Sequence, residues 1–132
     1  MSASASQRIL LIDDSVLVVE AITDALEGEV VVEGVTDVDA VDPSQPLDRF
    51  DLILIDVQMP SMFGDDVAMV MRHRRGETPI VLLSSLPEQD LAVRASEAGI
   101  DGYISKRRGV DNVIAEIRSW LAETQRRRKR EA

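Results

Sequence analysis

Three aspartates, two serines and one lysine could do chemistry in this chain, and apolar runs place them. Asp13 and Asp14 directly follow Ile9-Leu10-Leu11-Ile12, and Asp56 directly follows Leu52-Ile53-Leu54-Ile55. Runs that are apolar on consecutive residues suit strands covered on both faces, hence a parallel sheet. Parallel strands point one way, so the three carboxylates meet at one sheet edge, where doubly wound folds bind their ligands. Three anions that close repel one another unless a cation lies among them. The run Ile80-Val81-Leu82-Leu83 brings Ser84 and Ser85 to the same edge, and Lys106 stands two residues after Ile104 of a shorter run. Oxygen ligands with no His or Cys suit a hard ion such as Mg²⁺, which also takes phosphate oxygens. Lys106 offers a point charge to a phosphoryl oxygen, and a serine hydroxyl can donate to another.

The elements that must deliver these residues alternate between strand and helix. After the strand at Ile9–Ile12, Ser15 can cap a helix burying Val18, Ile22, Ala25 and Leu26, with Gly28 at its stop. Val30-Val31-Val32 begins a second strand that Glu33 and Gly34 interrupt, as suits an edge. Beyond the strand at Leu52–Ile55, a helix is expected from about Phe63 to His73, with Val67, Val70 and Met71 on one face. Pro79 opens the strand at Ile80–Leu83; Leu91, Ala95 and Ala98 mark a helix closed by Gly99. Tyr103-Ile104 is a short fifth strand, and Val110, Val113, Ile114, Ile117 and Leu121 define the last helix. The predicted fold is α/β: a doubly wound five-stranded parallel sheet, flavodoxin-like order 2-1-3-4-5, with helices on both faces. One connection fits poorly. Pro43 and Pro46 oppose a helix between Thr36 and Phe50, so only a short helix at about Thr36 to Asp42 is expected, then irregular chain.

The 132 residues suffice for one core, and the expected division is a disordered segment 1–7, a domain 8–124 and a basic helix end or tail 125–132. No cysteine is present, which excludes thiolate nucleophiles and disulfide frameworks. No apolar run reaches the length of a membrane span, and Met1–Gln7 lacks the features of a secretory signal, so a cytoplasmic protein is expected. The formal charge is -9, with five of the 15 basic and one of the 24 acidic residues beyond Gln125, leaving 10 basic against 23 acidic before it. An acidic body disfavours nucleic acid. The run Arg126–Arg130 contains no aromatic residue and suits the solvated end of a helix.

Taken together in order and spacing, Ile12-Asp13-Asp14-Ser15, Asp56 with Met59-Pro60 and Gly64, Leu83-Ser84-Ser85, Ala98-Gly99, and Tyr103 three residues before Lys106 form a known pattern. The chain resembles a response-regulator receiver domain, the phosphoacceptor module of two-component and phosphorelay signalling, over nearly its whole length. The resemblance implies that Asp56 takes a phosphoryl group from a sensor histidine kinase or phosphotransfer protein, with Lys106 and Ser84 assisting. It implies Mg²⁺ (or Mn²⁺) held by Asp14, Asp56 and the main-chain carbonyl of Gln58, with Asp13 acting through water. Ser84 would be the switch hydroxyl and Tyr103 the switch aromatic, altering contact with a downstream target or an output domain. Catalysis would be confined to self-phosphorylation and slow autodephosphorylation, with no organic cofactor.

The pattern departs at Arg107, where the family usually has a proline joined by a cis peptide. A cis bond before a non-proline residue costs about 3–4 kcal/mol, so a trans bond and a rearranged loop are expected, which puts the reach of Lys106 at issue. His73 is expected to be exposed, and Trp120 to rim the last helix's packed face. Three rivals are weaker. A receiver-like scaffold could signal without phosphorylation. An aspartyl-phosphate phosphohydrolase needs a second acid where Gln58 stands. A flavin-phosphate binder needs main-chain amides where these loops are acidic.

Overall fold

The computed structural model describes residues 6–37, 40–41, 45–59, 63–73 and 75–131. Its elements are β1 (Gln7–Ile12), α1 (Val16–Ala25), β2 (Val30–Val35), β3 (Leu52–Asp56), α2 (Gly64–Met71), β4 (Ile80–Ser84), α3 (Glu88–Ala98), β5 (Gly102–Ser105) and α4 (Val110–Glu131). The strands form one sheet in the order β2-β1-β3-β4-β5, every pair parallel. That is the predicted order, with the most apolar runs central.

Every residue of β3 and β4 is buried, because helices cover both faces of the sheet. On one face, Ile22 and Leu26 at α1 and Val113, Ile114, Ile117 and Leu121 of α4 pack on Ile9, Leu11, Leu52, Leu54, Val81 and Leu83. On the other, Val67, Ala68 and Met71 of α2 meet Leu10, Ile12, Ile53, Ile55 and Ile80, while Leu91 and Ala95 of α3 cover Leu82 and Val57. Ser15 caps α1 by accepting from the Val18 amide at 3.3 Å, and Gly99 ends α3 at φ +70°.

Several boundaries differ from expectation. Gln7, placed by expectation in the disordered segment 1–7, belongs to β1; residues 1–5 lie outside the described residues. Ala25 faces solvent, since Ile22 and Leu26 already fill the α1 contact with the sheet. The helix expected at about Thr36 to Asp42 is not described: Val38, Asp39 and Asp42 lie outside the described residues, Thr36 and Asp37 are bent, and the Ala40 amide closes a short turn onto the Asp37 carbonyl. Leu47 and Phe50, both buried, fill the face that a second crossover helix would cover.

At the edge of the sheet away from the acids, α4 is fastened by a set of polar contacts. The Asp51 carboxylate, 7% exposed, accepts from the Arg8 amide at 2.7 Å and pairs with Arg128. Arg128 also donates to the Phe50 carbonyl at 3.0 Å, and Thr124 Oγ1 donates to the Asp51 carbonyl at 3.0 Å. The basic run therefore lies on α4, and Arg128 alone of its members holds the body in these contacts, Arg126 and Arg130 pairing instead with Glu123. Arg128→Ala leaves the Asp51 carboxylate short of its counter-charge. Because the arginine is part-exposed, a loss of about 1–2 kcal/mol is expected, read as a lower urea midpoint with unchanged slope.

Candidate functional site

Strand register alone brings the site together. Ile12 pairs with Ile55 and Asp56 with Leu83, so Asp13 and Asp56 lie on neighbouring strand ends and Ser84 on the next. Ser84 pairs with Ser105, which sets Lys106 just beyond. One carboxylate oxygen from each of Asp13, Asp14 and Asp56 lies within 4.8 Å of the others.

Asp13 is fully buried, and its Oδ1 accepts from the Ser15 amide at 2.9 Å. Its Oδ2 accepts no hydrogen bond of regular geometry, but the Lys106 ammonium lies 2.7 Å away as an ion pair. Lys106 Nζ is also 3.7 Å from Asp56 Oδ2. Asp56 is 5% exposed, and its Oδ1 accepts from the Gln58 amide at 3.2 Å. Asp14 is exposed to solvent. Burial, aided by the charges of Asp13 and Asp14, raises the Asp56 carboxyl to about 6, against the opposing pull of Lys106 and the Gln58 amide.

One ammonium for three carboxylates leaves the cluster anionic, and a buried Asp13 oxygen lacks a regular hydrogen bond. Both features fit a divalent cation with oxygen ligands, whose open side would be the solvent side at Asp14.

Gly64 begins α2 hard against the end of β3. Its amide donates to the Val57 carbonyl at 2.9 Å, and a Cβ there would sit 1.9 Å from the Asp56 carbonyl oxygen. Gln58 and Phe63 form an antiparallel bridge that closes the loop, while Pro60, Ser61 and Met62 lie outside the described residues.

Ser84 is buried and its Oγ accepts from the Leu86 amide at 3.2 Å. Tyr103 is half-buried and packs beside Leu82, Leu91 and Ala95. Among the described residues no peptide is cis, so the Lys106–Arg107 bond is trans. The loop does differ from the family's usual form: β5 passes into a 3₁₀ turn, Lys106–Arg108, capped by Ser105 Oγ accepting from the Arg107 amide at 3.1 Å. Lys106 nevertheless reaches both buried acids. His73 is exposed, and Trp120 is part-buried against Gly102.

Arg107 departs from the family pattern and nothing in the sequence assigns Arg108 a role, yet both make contacts beside the site. Arg107 Nε donates to the Ser85 carbonyl at 2.5 Å, and Arg108 forks onto Glu88. The available signal was three consecutive cations directly after the fifth strand.

A doubly wound sheet with three carboxylates and a lysine at its strand ends defines the class. The chain belongs to the response regulator receiver domain family, whose model matches residues 9–118. Among relatives, the response regulator protein PmrA of Pseudomonas aeruginosa is 33% identical over 119 residues, spanning 89% of this chain and 53% of that protein. The DNA-binding response regulator MtrA of Mycobacterium tuberculosis is 35% identical over 120 residues, 87% of this chain and 50% of that protein. The cell cycle transcriptional regulator CtrA of Caulobacter vibrioides is 36% identical over 112 residues, 83% of this chain and 48% of that protein. The chain thus spans about half the length of the curated relatives it matches. A CheY-like receiver domain protein from Methanospirillum hungatei shares the fold at a TM-score of 0.78 and 23% identity, covering 93% of this chain and 99% of that one. Among the described residues, no helix is long and apolar enough to cross a membrane.

Proposed function

We propose that Asp56 is the phosphoacceptor of a two-component or phosphorelay system, and that its phosphorylation switches contact with a downstream partner. The observation that carries this is the position of Asp56 itself: a nearly buried carboxylate at a strand end, within 4.8 Å of two further acids and 3.7 Å from a lysine. An Asp56 oxygen attacks phosphorus of a phosphohistidine, the P–N bond breaks, and its electron pair leaves with the imidazole. The nucleophile must be ionised, and proximity to Lys106 favours the ionised form while burial opposes it.

Asp14, Asp56 and the Gln58 carbonyl would hold Mg²⁺, or Mn²⁺ in its place, with Asp13 acting through water. The ion would supply neutralisation of the acceptor and phosphoryl charges. Lys106 holds Asp13 and Asp56 in position and offers its ammonium to a phosphoryl oxygen. The Ser84 hydroxyl would donate to another oxygen on leaving the Leu86 amide, and Tyr103 would turn into the space so vacated. Self-phosphorylation by a small phosphodonor and slow autodephosphorylation complete the activity.

The phosphodonor is a sensor histidine kinase or phosphotransfer protein, and the site of action is the cytoplasm. The names of MtrA and CtrA concern proteins about twice this length. Here the acidic balance of residues 1–125 disfavours direct contact of this domain with nucleic acid, so its own output contact is with a downstream target protein or an output domain. Beryllofluoride with Mg²⁺ is expected to bind saturably and to shift the amide signals of Ser84 and Tyr103. Failure to bind would remove the acceptor chemistry; binding without those shifts would remove the switch.

A further inference from the structure

Lys106, Arg107 and Arg108 are consecutive on one 3₁₀ turn, and each grips a different element. Lys106 reaches Asp13 and Asp56. Arg107 Nε donates to the carbonyl of Ser85, just past the end of β4, at 2.5 Å. Arg108 donates from Nε to Oε2 of Glu88, the first residue of α3, at 3.0 Å, and from Nη2 to Oε1 at 3.0 Å and Oε2 at 2.9 Å. The segment from Ser84 to Glu88 is thereby fastened at Ser85 and at Glu88 to the turn that carries the site lysine. Inside that fastened segment, Ser84 Oγ accepts from the Leu86 amide at 3.2 Å, which holds the side chain toward the loop.

A guanidinium on a main-chain carbonyl restrains the peptide itself, where an ordinary surface ion pair restrains only side chains. Ser84 Oγ accepts from the amide of the Ser85–Leu86 peptide, so turning the side chain from that amide toward a phosphoryl group on Asp56 breaks this contact and releases that peptide. The Ser85 carbonyl is that peptide's acceptor, and it is the one Arg107 holds. The bidentate Arg108–Glu88 pair adds a second fixed point at the start of α3, with a geometry more restrictive than a single contact.

We propose that Arg107 and Arg108 are positioning residues that latch the Ser84–Glu88 segment to the Lys106 turn, holding the Ser84 hydroxyl on Leu86 and opposing its engagement with a phosphoryl group. The proposal rests on the phosphoacceptor reading of Asp56. Arg107 thus replaces a loop-shaping residue with a restraint, and the resting state is held by contacts that phosphorylation must break. A ligand that requires the open segment binds with an affinity reduced by the fraction open, so loosening the latch tightens binding.

The test is a titration of the full chain with beryllofluoride and Mg²⁺, followed by amide NMR. Arg107→Ala is expected to bind about fivefold more tightly than the parent, the scale of one charge-assisted hydrogen bond. Its unliganded Ser84, Ser85 and Leu86 amides should lie part-way toward their positions in the liganded parent. Arg107→Lys, which keeps a cationic donor, should stay near the parent. Arg108→Glu should tighten binding, and adding Glu88→Arg to it should restore the parent affinity. If the parent binds with a Ser84 shift while Arg107→Ala changes neither affinity nor resting amide positions, the latch is overturned and the acceptor reading stands. If the parent fails to bind, the acceptor reading falls and the latch with it.

Discussion

Asp56→Asn is expected to lose labelling by acetyl phosphate, to below about one-hundredth of the parent rate, while gaining stability in metal-free buffer. The first half follows from the nucleophile: an amide oxygen carries no charge and forms no acyl phosphate under these conditions. The second half follows from burial. Asp56 ionises near 3.8 in an unfolded chain and at about 6 in the fold, chiefly because burial penalises its charge. Between those values the folded state binds more protons, so the stability of the parent falls as pH rises from about 4 to 6. Above that window the full cost is present, roughly 2–3 kcal/mol at neutral pH. Asparagine carries no such cost, so urea unfolding in chelator should show the variant more stable at pH 7 and lacking this part of the slope. Excess Mg²⁺ should stabilise the parent and leave the variant nearly unchanged, because a ligand stabilises only the state that binds it. Undiminished labelling of the variant would refute the acceptor assignment. Equal stability in chelator would refute the burial cost while leaving the acceptor in place.

Gly64→Ala should be the most damaging single methyl in the site. Its Cβ would fall 1.9 Å from the Asp56 carbonyl oxygen, 2.6 Å from the carbonyl carbon and 2.9 Å from Ile55 Cγ2. Two of those atoms are backbone of β3, a strand buried at every residue and paired on both sides, so they cannot yield cheaply. The start of α2 must move instead, which breaks the Gly64 amide contact with Val57 and shifts the loop beside Asp56. A loss of about 2–4 kcal/mol is expected, together with weaker Mg²⁺ binding. An alanine variant with parental stability and parental metal affinity would mean the loop has another way to close. Gly28 offers a contrast within the same chain: no atom lies within 4 Å of a Cβ there, so only its positive φ argues against substitution.

The functional part of the fold was legible because it is local. Runs such as Leu52–Ile55 and Ile80–Leu83 announce buried parallel strands by their own composition, and the acids stand directly at their ends. What was not legible depended on competition between distant segments. Ala25 matched the helical spacing of α1 but faces solvent, since spacing marks a face without saying how wide the contact will be. The prolines near position 43 argued against a long helix, but nothing local said that Leu47 and Phe50 would fill its place. Gly64 belonged to a sequence pattern, while its reason, an approach to the Asp56 carbonyl, appears only when α2 is laid on β3.

Composition and order by themselves determined the strand sequence, the sheet topology, the family, and which acids share an edge, because apolar periodicity and strand polarity are properties of short segments. Only the tertiary structure decided the environment of each charge. Burial raises Asp56, and Asp13 becomes a fully buried anion whose Oδ2 meets the Lys106 ammonium. A trans turn still carries Lys106 to both acids while Arg107 and Arg108 reach back to Ser85 and Glu88. Those outcomes are sums over groups far apart in sequence, and no short segment contains them.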